Sequence, residues 1–313
     1  MKTYGTDGII DLAVVGAGPA GLALLKAAAD HGLRAAAIEK GPVCGALMRH
    51  PTYMRWFSTA DKLELPGLPL LIQEKTPTRR EYLHYCRAYA RHFQLPVNTY
   101  REVTGVITLD GLFRVEARDL YARKFIWRAK NVAVATGFYD GPRPLDVRGA
   151  DLPKVSYRYT EAHPYAGHRV LVVGAGSSAA ETALELYREG AHVTIAMRAS
   201  HFNTKYWIEP DIENRIREGA IACYRNVELL EIRPDDVILR DIEDNRIVVE
   251  NDFVLAMTGY TPDLSLLRFL QVAIDAVTGK PVIGGHCETS VPGIYVAGSI
   301  VAGNESNSIF IEN

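Results

Sequence analysis

An α/β chain with two dinucleotide-binding units is predicted by three features: a glycine-rich turn that occurs twice, an apolar run before each copy, and an alanine- and leucine-rich helical pattern after it. The copies are Asp11-Leu-Ala-Val-Val-Gly16-Ala-Gly18-Pro-Ala-Gly21 and Arg169-Val-Leu-Val-Val-Gly174-Ala-Gly176-Ser-Ser-Ala179, their first glycines 158 residues apart. Each apolar run is short enough for a buried parallel strand, and each pattern beyond it has a 3.6-residue period. The first glycine makes the tight turn and the second lets backbone approach a pyrophosphate. The third position takes a small residue for helix-strand packing, so Ala179 suffices there. The following helix aims unpaired N–H groups and its positive end at the phosphates, so neither copy needs a lysine. A single Gly-x-Gly-x-x-Gly is weak evidence, whereas two in matching context predict a pair of Rossmann-like domains.

What ends each second strand separates the two ligands. Arg34-Ala-Ala-Ala-Ile38 ends at Glu39, 18 residues past Gly21, where a carboxylate can accept from ribose hydroxyls. That favours the adenosine half of FAD. His192-Val-Thr-Ile-Ala-Met197 ends at Arg198 with no acid in that place, and a guanidinium suits a 2′-phosphate, favouring NADPH over NADH. The alternative for both is an ordinary solvated charge at a strand end.

Between the motifs, Arg79–Phe93 places Tyr82, Cys86, Tyr89 and Phe93 on one helical face, which reads as packing. Asn131-Val-Ala-Val-Ala-Thr-Gly137 and Val254-Leu-Ala-Met-Thr-Gly-Tyr260 each read as a buried strand ending in a Thr-Gly turn beside a cofactor. Val291-Pro-Gly-Ile-Tyr-Val-Ala-Gly-Ser299 is a late strand stopping at glycine, and 303–313 is poorly periodic.

At 313 residues two domains are expected, and 48% hydrophobic with 23% charged residues describes an ordinary globular chain. A net charge of -2 gives no reason to propose nucleic acid or an anionic membrane as partner. No stretch approaches 18 uninterrupted apolar residues and Met1–Ile10 has no leader pattern, so a cytoplasmic location is expected. Cys44, Cys86, Cys223 and Cys287 are widely spaced, without a Cys-x-x-Cys or metal-ligand spacing, so no metal site is expected. Cys44, in a loop just past Glu39, is the one candidate catalytic thiol, although no activating base or partner thiol stands near it in sequence.

The two units in this order, joined by Ala135-Thr-Gly137 and closed by Ile294-Tyr-Val-Ala-Gly298, resemble the two-domain flavoprotein pyridine nucleotide oxidoreductases of the thioredoxin reductase type. More narrowly, Pro51-Thr-Tyr-Met-Arg-Trp-Phe-Ser-Thr-Ala-Asp-Lys-Leu63, Gly149-Ala-Asp-Leu-Pro-Lys-Val155, Glu161-Ala-His-Pro-Tyr165 and the 302–313 segment are similar to the YpdA-type bacillithiol disulfide reductases. The resemblance implies that Gly16, Gly18, Pro19, Ala20, Gly21, Glu39, Lys40, Thr136, Gly137, Gly298 and Ser299 bind FAD, with Phe57 and Ser58 close to the flavin. It implies that Gly174, Gly176, Ser177, Ser178 and Arg198 hold NADPH. Hydride would pass from nicotinamide to flavin N5, and two electrons onward to a low-molecular-weight disulfide such as bacillithiol disulfide, a cytoplasmic redox-homeostasis role in a homo-oligomer. It also implies a discontinuous FAD domain, 1–143 and 263–313, around an NADPH domain, 144–262, with hinges near Gly141-Pro-Arg-Pro144 and Pro262.

This chain departs from the subfamily at three places. Ala20 stands where members carry a cysteine proposed to act in disulfide reduction. Ser299 stands where the superfamily usually shows a ribityl-binding aspartate. Relatives continue beyond the position of Asn313 into a glycine and a flavin-capping helix, so a shortened C-terminus is expected. Three other functions follow from the same layout: a flavin monooxygenase, a reductase of thioredoxin or ferredoxin, and a non-catalytic FAD/NADPH redox sensor. The monooxygenase signature, Phe-x-Gly joined to a His, is missing from Val155–Thr160, and the missing Cys-x-x-Cys argues against thioredoxin.

Overall fold

The structure, a computed structural model, describes residues 8–305 together with 309 and 311. Part of the 302–313 resemblance thus lies outside the described residues. The chain opens with β1 (Ile9–Val15), α1 (Pro19–Asp30), β2 (Ala35–Ile38), α2 (Ala60–Leu63), α3 (Arg79–His92) and β3 (Val97–Asn98). It continues with β4 (Glu102–Leu109), β5 (Leu112–Arg118), β6 (Lys124–Val134), β7 (Gly141–Pro142), β8 (Val155–Ser156) and β9 (Arg169–Val173). Then come α4 (Ser177–Arg188), β10 (His192–Met197), α5 (Glu209–Arg217), β11 (Ala222–Arg225), β12 (Glu228–Ile232), β13 (Asp236–Arg240) and β14 (Arg246–Glu250). β15 (Phe253–Ala256), β16 (Tyr260–Thr261), α6 (Ser265–Phe269) and β17 (Ile294–Val296) complete it. Two compact units result: Pro142–Gly259, and the chain that precedes it up to Gly141 and resumes at Tyr260.

In the discontinuous unit β3, β2, β1 and β6 lie side by side and parallel, and β17 pairs with the end of β6. Antiparallel β5 and β4 extend the other part of the same β6 edge. The period-2 side-chain rule divides β1 between two cores. Val14 packs with α1 and α3 residues such as Leu22, Leu25, Tyr82 and Cys86, while Ala13 and Val15 join Trp127, Leu267 and Val296 on the opposite face. β6 is longer than its apolar end suggests. Lys124–Lys130 alternates exposed and buried positions where it pairs with β5, and only Val132–Val134 is covered on both faces, so the sequence shows a strand signal for that end alone.

The second unit repeats the order: β11, β10, β9, β15 and β8 form an all-parallel sheet. β12, β13 and β14 form a separate antiparallel sheet. Val170 and Val172 face the α4 side with Ala183 and Leu186, and Leu171 faces Val237 and Leu239. In both units the first strand is central and its helix crosses to one neighbour while the return strand lies on the other, so a crevice opens at its carboxyl end.

Candidate functional site

The two glycine loops have one geometry. Gly16 (φ +105°) and Gly174 (φ +142°) turn the chain where L side chains are strained. A Cβ on Gly16 would stand 2.5 Å from Ala135 O, and one on Gly174 2.4 Å from Met257 O, in each case the return strand's own Thr-Gly segment. Gly16 N–H donates to Ile38 O (2.9 Å) and Gly174 N–H to Ala196 O (3.0 Å), tying each loop to its second strand. At Gly21 a Cβ would overlap Gly16 O at 2.2 Å, whereas the Ala179 methyl is tolerated. The middle glycines differ from these: a Cβ on Gly18 or Gly176 would meet nothing within 4 Å of protein. Open space at that position is what a nucleotide pyrophosphate requires. Gly18 and Gly176 are also the N-caps of α1 and α4, with no side chain capping either helix, and Pro19 opens α1 without a wasted donor. The first-turn N–H groups are left for an anion.

Two distant segments converge on the first loop. The Gly16 Cβ position lies 3.4 Å from the Thr136 Cα, Gly137 (φ +75°) faces Ser299 Oγ at 3.6 Å, and Gly298 (φ +74°) lies against the Ala20 methyl at 2.8 Å, all measured from built Cβ positions. Ala20, Thr136, Gly137, Gly298 and Ser299 are therefore one neighbourhood. Within it the Thr136 hydroxyl is buried and has no hydrogen-bond partner, a deficit that a bound ligand can meet. Glu39 is half-buried, with Oε2 accepting from Ala17 N–H and Oε1 from Gly41 N–H, both 2.8 Å. The carboxylate thus braces the glycine loop and keeps lone pairs for ribose hydroxyls. Lys40, beside it, pairs with Asp140, which Arg49 also engages. Phe57 is exposed and Ser58 half-buried, in the segment between α2 and the Trp56 N–H bond to Pro77 O (2.8 Å).

Around the second loop, Asn203 N–H donates to Ala175 O (2.8 Å) and Thr204 Oγ1 to Ser177 Oγ (3.1 Å), while Ser178 is exposed. Arg198, the residue after β10, is exposed, with no carboxylate partner among the described residues. It borders an open cleft of ≈ 390 Å³ with Asn226, Glu228 and Arg240. An uncommitted guanidinium at such a cleft suits a phosphate.

Cys44 is 1% exposed, and its thiol is raised well above the usual value by a hydrogen bond with Cys86, by burial and by the Glu39 charge. A protonated, covered thiol is a poor nucleophile, so the geometry gives this candidate no catalytic activation. Sequence reading also missed an aromatic ladder. His50 stacks on Tyr139 and Tyr139 on Tyr260, each with centroids 4.0 Å apart. Burial, then the charges of Arg79 and Arg49, lower the His50 pKa to about 4. Tyr139 and Tyr260 each follow a Thr-Gly turn by one or two residues, the sole sequence hint of the ladder.

Two crevices of one design, each at the carboxyl end of a central parallel strand and lined by open glycine and uncapped helix, define a two-nucleotide flavoprotein oxidoreductase. The chain belongs to the pyridine nucleotide-disulphide oxidoreductase family, whose model matches residues 13–298. It is 36% identical over 305 residues to the bacilliredoxin reductase Bdr of Bacillus subtilis (strain 168), covering 96% of this chain and 92% of that protein. Among solved structures, the bacillithiol disulfide reductase Bdr (YpdA) from Bacillus cereus superposes with a TM-score of 0.95 at 35% identity, covering 98% of this chain and 95% of that one. Thioredoxin reductase from T. acidophilum, 24% identical with a TM-score of 0.72 over 95% and 93% of the two chains, shares the fold.

Proposed function

We propose that the protein is an NADPH-dependent flavoprotein reductase of a low-molecular-weight disulfide, with bacillithiol disulfide as substrate: NADPH, a proton and the disulfide give NADP⁺ and two thiols. The observation that supports the substrate is similarity over nearly the whole chain to a bacilliredoxin reductase. FAD, when bound, supplies the step that turns a hydride donor into a two-electron reductant of sulfur. Gly16, Gly18 and Gly21 would admit its pyrophosphate to the start of α1, Glu39 would accept from the adenosine ribose, and the unpartnered Thr136 hydroxyl would gain a bond. Ser299 would bind the ribityl chain through a neutral hydroxyl, a weaker contact than a carboxylate. Gly174, Gly176 and Ser177 would seat the NADPH pyrophosphate, and Arg198 would hold its 2′-phosphate. Lys40 and Phe57 complete the flavin side in this reading.

Ala20 places a methyl, not a thiol, against Gly298. Disulfide cleavage in this protein therefore proceeds without a cysteine at that position, and Cys44, buried and protonated, does not replace it. We also read the enzyme as a cytoplasmic homo-oligomer; among the described residues no helix is long and apolar enough to cross a membrane. The test is anaerobic NADPH oxidation by the FAD-loaded protein with and without bacillithiol disulfide. Disulfide-dependent consumption with two thiols released per NADPH is the expected result. Turnover only with oxygen and an organic substrate would replace this reading with a monooxygenase.

A further inference from the structure

Arg198 begins a loop, 198–202, that is fastened at both ends. On the β11 side Val227 N–H donates to Met197 O (3.1 Å) and Asn226 N–H to Ala199 O (3.2 Å). On the glycine-loop side Asn203 N–H donates to Ala175 O (2.8 Å), and the Phe202 side chain, 3% exposed, is sunk in the core beneath α4. Between these points Arg225 reaches in. It is the last residue of β11 and the register neighbour of Met197. Its Nη1 donates to Ser200 O (3.0 Å), and its guanidinium sits over the Phe202 ring, 5.6 Å from the centroid. Its Nη2 donates to both carboxylate oxygens of Glu213 on α5, at 2.9 and 2.8 Å. Both members of this pair are half-buried.

We propose that Arg225, locked by Glu213, is a positioning residue for cofactor choice: it sets the 198–202 loop so that Arg198 meets the 2′-phosphate, and thereby discriminates NADPH from NADH. The proposal rests on the NADPH reading above and extends it to a side chain that acts through Arg198. A guanidinium suits the task because one planar group carries donors in fixed directions. Nη2 answers the carboxylate, Nη1 answers the carbonyl, and the flat face covers a ring. The point charge of a lysine cannot do these together.

Without Arg225 the Ser200 carbonyl loses its donor and the loop is held by its ends alone, so a ligand that uses the loop has to order it on binding. That cost falls on a nucleotide with a phosphate at this place. NADH, with a hydroxyl there, escapes most of it. The pyrophosphate seat is separate: Gly174 N–H is tied to Ala196 O (3.0 Å), a contact in which Arg225 takes no part.

The experiment titrates the full, FAD-loaded chain with NADP⁺ and with NAD⁺ in a calorimeter, for wild type, Arg225→Gln, Arg225→Lys, Arg198→Ala and the double variant Arg198→Ala/Arg225→Gln. Arg225→Gln should weaken NADP⁺ binding about fivefold or more and leave NAD⁺ within about twofold. Arg225→Lys, without the fork, should behave like Arg225→Gln. The double variant should bind NADP⁺ within about twofold of Arg198→Ala alone, because one change acts through the other. Parallel losses of both nucleotides would make Arg225 a general support of the unit and overturn the proposal. Losses that add in full in the double variant, or NADP⁺ binding unchanged in Arg225→Gln, overturn it as well. Where Arg225→Gln does not fold, Glu213→Gln, which releases the lock, decides by the same selective loss or its absence. A wild type that holds NAD⁺ as tightly as NADP⁺ would instead remove the NADPH reading itself, and this proposal with it. None of these measurements depends on disulfide reduction.

Discussion

At the scale of single residues, the glycines of one motif do different work, and substitution separates them. Gly21→Ala would press a methyl into a backbone oxygen at 2.2 Å, and Gly16→Ala would add the strain of φ +105° to a 2.5 Å overlap. Each should lower stability by about 1–3 kcal/mol in denaturant melts of the flavin-free protein. Gly18 has an ordinary extended backbone (φ -73°, ψ -176°) and open space around it. Gly18→Ala should leave flavin-free stability within about 0.5 kcal/mol and reduce the FAD bound at purification. Equal damage to stability from all three changes would mean that the open position is structural and no nucleotide approaches there. Arg198→Ala should raise KM for NADPH about tenfold or more and leave KM for NADH nearly unchanged, as loss of a charge-assisted phosphate contact requires. Similar losses with both donors would remove Arg198 from the phosphate. These roles are legible in sequence because motif spacing is local. That Cys44 and Cys86 share one core is not, since it is α3 folding back over the loop after β2 that brings them into it.

Among the elements, α3 carries the clearest local signal. Thr78 Oγ1 accepts from Glu81 N–H (3.2 Å) and Glu81 accepts from Thr78 N–H (2.7 Å), a reciprocal cap that fixes where the helix starts. Thr78→Ala should cost about 1 kcal/mol. The loop before α3 is held differently, through His50 stacked on Tyr139. The folded pKa near 4 lies below the ordinary 6.5, so as pH falls the unfolded chain takes up the proton first. Stability from neutral His50 is complete above pH 6.5 and is lost between 6.5 and about 4, by on the order of 2 kcal/mol after allowing for the ring's partial exposure. His50→Phe, which keeps a stacking ring without a titrating nitrogen, should show a correspondingly smaller decline across that window. A wild-type and variant decline of the same size would assign the acid sensitivity to other groups.

For the molecule as a whole, the four cores formed by the described residues do not mix. Two are built wholly from residues before Gly141 or after Tyr260, and two wholly from residues of Pro142–Gly259. A unit with its own core can fold alone. Residues 142–259 expressed by themselves should unfold cooperatively by circular dichroism and bind NADP⁺ with affinity reduced by Arg198→Ala, but carry no flavin. A non-cooperative melt would show that the segment depends on the rest of the chain.

Sequence alone determined the local syntax: two strand-turn-helix motifs, Glu39 closing one second strand and Arg198 the other, and from these an α/β chain with two nucleotide crevices. These are short-range matters, decided by backbone torsion, side-chain size and a period of two or 3.6 residues. Tertiary structure decided which distant pieces share a space: Thr136, Gly137, Gly298 and Ser299 around the first loop, His50 against Tyr139, and Tyr139 against Tyr260. Such meetings depend on strand order and crossover, through which residues more than a hundred positions apart become neighbours in one parallel sheet, and no periodicity records them.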